Sequence, residues 1–157
     1  MTTLPVYRAP MRSRDDRVPD GVAVERARTL GVVGMGRRLG SGNTGGGAAE
    51  LRLERRIERF AAASDGAAVW TRDADGLWWL GRLAGARFDD RSADARRVDL
   101  VHVRPCAWLP DPIDDAEVPV AVRRAFARGG RNWQRINAPD VAAATDRIWS
   151  ARRSIHP

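Results

Sequence analysis

Apolar positions along this chain fall into short alternating runs separated by turn residues, with helical stripes between them. The alternation in "AAVWTR" (67–72) and "LWWLGRLAG" (77–85) predicts two strands joined by Asp73-Ala74-Asp75-Gly76, whose glycine can take the positive φ of a bulged hairpin. Period-two geometry puts Trp70 and Arg72 on one face of the first strand and Val69 and Thr71 on the other. In the second strand Trp78, Leu80 and Arg82 oppose Leu77, Trp79 and Leu83, so both faces carry indole and at least one tryptophan is core. "AAELRLERRIERFAAAS" (48–64) has Leu53, Ile57, Phe60 and Ala61 on one helical face, with Arg52, Arg55, Arg56 and Arg59 spread over the others.

Weaker patterns complete the outline. "TLGVVGMG" (29–36) predicts a β-branched and glycine strand, and "GSGNTGGG" (40–47) a loop with no structure of its own. Residues 86–97 predict a polar connection, and "VDLVHVRPCAWL" (98–109) a strand that Pro105 bends. "EVPVAVRRAFARGG" predicts a short helix stopped by glycine, "RNWQRI" an extended piece, and "APDVAAATDRIWSARR" a last helix with Val141, Ala144 and Ile148 as its buried stripe. Residues 1–28, with Pro5, Pro10 and Pro19 among Arg and Asp, have no clear period and predict an extended or disordered basic arm. The expected architecture is α+β: one domain over 29–157, a small mixed sheet curled into a partial barrel, with peripheral helices.

Charge changes this picture. The 157 residues include 27 basic side chains, every one arginine, which removes chemistry that needs a lysine amine. Residues 1–59 have 12 Arg against 7 acids, residues 60–122 have 7 against 11, and residues 123–157 have 8 against 2. Basic ends around an acidic middle suit a polyanion, though solubilising tails have the same composition. No apolar run reaches the ~20 residues of a membrane span, and the first residues lack the pattern of a secretory signal, so a cytoplasmic location without membrane attachment is expected.

Candidate chemistry is sparse. Cys106, His102 and His156 do not form a metal-ligand set, and Cys106 reads as an inert buried thiol and His102 as a hydrogen-bonded strand residue. "GVVGMGRRLG" has the wrong glycine spacing for a dinucleotide fingerprint, and "GSGNTGGG" lacks the Gly-Lys-Ser/Thr of a phosphate loop. No cofactor, metal or catalytic residue is therefore expected, and a hydrolase built on the glycine loop ranks last. Gly34 and Gly36 suit either close approach of a flat ligand or a bulge at the strand end. Arginine next to tryptophan recurs, in Trp70 with Arg72, Trp78 with Arg82, Arg104 with Trp108, and Arg131-Trp133-Arg135. Indole platforms flanked by arginine hold unstacked bases.

The segments "VWTR", "DGLWWLGRLAGARFDD" and "VHVRPCAWLP", preceded by "GVVGMG" and followed by "FARGGRNWQRI", resemble the PUA-like fold group. The likeness is strongest to the EVE-like domains attached to bacterial restriction and defence proteins, and it covers residues 29–136. It implies a pseudobarrel that flips a modified base into a pocket. By that resemblance Gly34, Gly36, Trp70 and Arg72 line the pocket, Trp78 and Trp108 wall it, and Arg37, Arg104 and Arg131 meet phosphate. The function expected is a non-enzymatic nucleic-acid reader in a defence or phage setting. DNA is expected ahead of RNA, and cleavage is left to a separate effector protein. The alternative is a protein interaction module, such as an antitoxin, immunity protein or accessory subunit, docking through exposed tryptophans.

Overall fold

In a computed structural model that describes residues 4–40 and 47–155, the chain runs β1 (Val6–Arg8), α1 (Val22–Leu30), β2 (Val32–Met35), α2 (Gly47–Ala62), β3 (Ala68–Arg72), β4 (Trp78–Leu83), β5 (Phe88–Asp89), α3 (Ala93–Arg97), β6 (His102–Trp108), α4 (Val120–Ala127), β7 (Gln134–Arg135) and α5 (Val141–Ile155). Most of the "GSGNTGGG" loop, and His156, lie outside the described residues. No helix among the described residues is long and apolar enough to cross a membrane.

The strands hydrogen-bond in the order β2-β6-β4-β3-β1-β7, with β5 added on β6, and this path curls into a half-barrel. Every pairing is antiparallel except β1 with β3. Strand β6 makes the curl. Its first half, His102–Pro105, pairs with β2, while Cys106–Trp108 pairs with β4, and Pro105 stands at the change of partner. The expected α+β pseudobarrel is thus the observed class of fold.

Both faces of the sheet are covered. On one, Val33, Met35, Val69, Leu83 and Val103 meet Ala23, Val24 and Ala27 of α1 and Leu53, Ile57 and Phe60 of α2. On the other, Val6, Trp70, Trp78 and Leu80 meet Val122 and Ala125 of α4 and Val141 of α5. The hairpin and α2 stand where the periodicity puts them, although Ala61 of α2 is exposed. At the turn, Gly76 has φ 82° and its N–H donates to the Asp73 carbonyl, 3.1 Å away. Cys106 is buried, and burial pushes its thiol pKa well above the ordinary value.

Three expectations need correction. The supposed arm contributes a strand to the interior of the sheet, because β1 lies between β3 and β7, and then a helix, α1, whose small residues Ala23 and Ala27 pack against the core. The polar connection at 86–97 contains β5 and α3, the latter started by Ser92, whose hydroxyl accepts from the Ala95 N–H. Gly34 answers to packing: a Cβ there would stand 2.6 Å from the His102 carbonyl oxygen and 2.7 Å from Val103 Cγ1. Gly34→Ala is expected to cost about 1–3 kcal/mol, since an added methyl must displace strand backbone. Urea unfolding checks this, with a lower midpoint at unchanged slope.

Candidate nucleic-acid interface

Where β1 leaves the sheet, the chain must turn sharply. Met11 does so at φ 51°, and Asp99, ahead of β6, sits at φ 56°. Left-handed backbone costs a residue with a side chain roughly 1–2 kcal/mol, so two such positions side by side are held by their surroundings. The Asp99 carboxylate does part of the holding, accepting from Ser13 Oγ at 3.2 Å and from the Arg14 N–H at 2.8 Å. Residues 12–14 are thereby fastened beside the end of β2.

Between these segments and α2 lies a shallow hollow of about 40 Å³. Largely buried Met35 and Leu53 line it with Gly36, together with Arg12, Arg14, Arg37, Arg56, Arg131 and Asn132. Five guanidinium groups face one carboxylate, Asp99. Arg37 is tied to Glu50 at 2.7 Å, and this hydrogen bond holds the Glu50 carboxyl below its ordinary pKa against the opposing desolvation. The Arg37 carbonyl accepts from His102 Nε2 at 2.9 Å, which leaves Nδ1 to accept from Arg87, and confirms His102 as a hydrogen-bonded strand residue. Arg131 meets Asp16 at 3.2 Å with both side chains in solvent, a weak tie. Arg12, Arg14 and Arg56 make no ion pair among the described residues. Uncommitted cations at a concave surface are free to pair with an anion.

Of the nine residues expected to bind, the structure brings Gly36, Arg37 and Arg131 together here. The others lie elsewhere. Trp70 is sealed between the sheet and α5, with Nε1 donating to Thr145 Oγ1 at 3.2 Å. Trp78 is buried in a T-shaped contact with Phe126 and donates to Asp115, and the exposed Arg72 lies over its ring at 4.7 Å. Trp108 is half-buried and donates to the Val32 carbonyl. Arg104 is 2% exposed and donates to the carbonyls of Phe60, Ala63 and Gly85 and to Asp65, so it closes the end of α2 and cannot reach a phosphate.

The arginine and indole pairing exists, but it is intramolecular. Arg28 covers Trp79 at 3.2 Å, Arg72 covers Trp78, and Arg82 and Arg153 flank half-buried Trp149. Trp133 is buried and stacks on Tyr7 at 4.5 Å. A guanidinium thus takes the place a foreign ring was expected to occupy, and none of the six indoles is exposed. Arg12, Arg14, Arg56 and Asn132 went unnoticed as site residues. The alternation of Arg12 and Arg14 after Pro10 was a usable signal, whereas Arg56 looks like any solvated position of an amphipathic helix.

The fold and site together define a curled half-barrel with a cationic hollow beside a glycine-bearing strand. No protein-family model matches the chain, and no curated protein does. Among solved structures it is similar to the YTH domain of the Zygosaccharomyces rouxii MRB1 protein, solved in complex with N6-methyladenosine RNA. That likeness has 12% identity, covers 98% of this chain and 92% of that one, and has a TM-score of 0.47. It is also similar to protein Atu2648 from Agrobacterium tumefaciens, at 10% identity over 91% of this chain and 92% of that one, with a TM-score of 0.37.

Proposed function

We propose that this protein is a non-enzymatic nucleic-acid-binding module that takes a single-stranded or flipped nucleotide at the arginine hollow. The observation that supports it is the set of three guanidinium groups, Arg12, Arg14 and Arg56, that form no ion pair among the described residues and share the hollow with apolar Met35 and Leu53. Guanidinium forks match phosphate geometry, and their planes can stack on a base when no indole is free. These apolar side chains give a methyl group a contact that water does not, which favours a modified nucleobase over its parent. Docking of a protein partner through exposed tryptophans loses its premise, since no indole is open.

Titration of fluorescent single-stranded DNA, RNA and duplex DNA, each with and without a methylated base, tests the reading. Affinity is expected to fall steeply with salt, and in the triple variant Arg12→Ala/Arg14→Ala/Arg56→Ala the log–log salt slope should shrink by roughly 0.7 per lost phosphate contact. Absence of binding at low salt, or binding indifferent to salt, would overturn it.

A further inference from the structure

Arg8 is a cation placed inside the fold. It lies on an interior strand and is only 4% exposed, yet among the described residues it forms no ion pair. Its Nη1 is satisfied, donating to the carbonyls of Ala125 at 2.5 Å and Gly129 at 2.8 Å at the end of α4. Its Nε is buried without a partner. Nη2 faces Gly130, where a Cβ would stand 3.1 Å away and where φ is 97°. Nε and Nη2 form one edge of the guanidinium, the edge that grips an oxyanion through two parallel bonds.

A second hollow, of about 100 Å³, is lined by Arg8, Arg12, Arg72, Asp73, Gly129 and Gly130 among others. Asp73 is not the missing counter-ion. One of its oxygens accepts from the Asp75 and Leu77 N–H groups, and the other from Trp79 Nε1. Burial, and then the like charge of Arg128, hold the Arg8 pKa below its ordinary value, so the surroundings add positive charge where a negative one is lacking. Capping of α4 accounts for Nη1 but not for the idle edge.

We propose that this hollow is a phosphoryl-anion site in which Arg8, assisted by Arg12 and Arg72, grips a phosphate. Arg12 lines both hollows, so a strand seated in the first could lay a neighbouring phosphate here. The site's chemistry stands whether or not the first hollow binds nucleic acid, because its anion could equally be free phosphate.

Two-dimensional ¹H–¹⁵N NMR of the whole protein tests this, with inorganic phosphate titrated at constant ionic strength against chloride. The Gly129 and Gly130 amides and the Arg8 Nε–H are expected to move along one saturable curve. Arg72→Ala, an exposed change, should weaken that curve about tenfold, the worth of a charge-assisted hydrogen bond, while Arg147→Ala on α5 serves as the charge-matched control with no effect. Movement no greater than with chloride, or an unchanged curve in Arg72→Ala, overturns the site. A second arm uses a single-stranded thymidine oligomer. If it moves the same resonances, the anion is a backbone phosphate, and if only inorganic phosphate moves them, it is the free ion; both outcomes support the site. Failure of the nucleic-acid reading registers separately, as Gly36 and Arg14 amides that the oligomer leaves unmoved.

Discussion

Trp70→Ala is expected to lower the free energy of unfolding by about 3–5 kcal/mol, the range for removing a fully buried large aromatic side chain. The ring is 0% exposed and packs with Leu80, Val122 and Val141 in the core between the sheet and helices α4 and α5. Truncation leaves a void there and also deprives Thr145, itself 1% exposed, of its indole donor. Trp70→Phe should fall between the two, keeping most of the volume and losing the hydrogen bond. Urea unfolding followed by circular dichroism reads the loss, and oligonucleotide affinity measured on the folded variant should stay unchanged. A variant that unfolds at the parent's midpoint yet binds more weakly would return this indole to a recognition role.

Arg104→Met is expected to cost about 3–5 kcal/mol for a different reason. Methionine fills much of the same space, but the carbonyls of Phe60, Ala63 and Gly85 then lose their donor, and an orphaned buried acceptor costs about 1–3 kcal/mol. Asp65 loses least, since its carboxylate is 69% exposed and water replaces the guanidinium. Arg104→Lys should recover only part, because an ammonium cannot reproduce the planar fork that reaches three carbonyls and a carboxylate together. Thermal unfolding of the three proteins ranks them Arg, Lys, Met. Equal stability of all three, with oligonucleotide affinity falling instead, would place Arg104 on phosphate after all.

What was legible in the sequence is what depends on near neighbours. Helix α2 was plain because Leu53, Ile57 and Phe60 recur at helical spacing, and the β3–β4 hairpin because alternation meets a turn ending in Gly76. Strand β1 was not, since a strand of three residues has too little period, and its partners, in β3 and β7, are remote in the chain. Helix α1 hid for want of a polar cap, starting after Gly21 at φ 88° with no side-chain hydrogen bond. The tryptophans misled because alternation separates two faces without saying that both are covered; here helices lie on each side of the hairpin. At the hollow, Gly36 and Arg37 were legible as arginine following a glycine strand. Ser13 and Arg14 are tied there by the Asp99 carboxylate, a contact between segments that no local pattern foretells.

The placement of Tyr7 between Val69 and Arg135 also sets a sequence of events for folding. The hairpin and α2 can form from adjacent segments as synthesis proceeds, but the outer flank of β1 stays open until β7 has been made. Pairing across such separations is slow. Until α4 arrives with the Ala125 and Gly129 carbonyls, Arg8 has nothing on which to anchor its Nη1. Closure of the sheet on that flank of β1 therefore has to wait until residues 134–135 have been made.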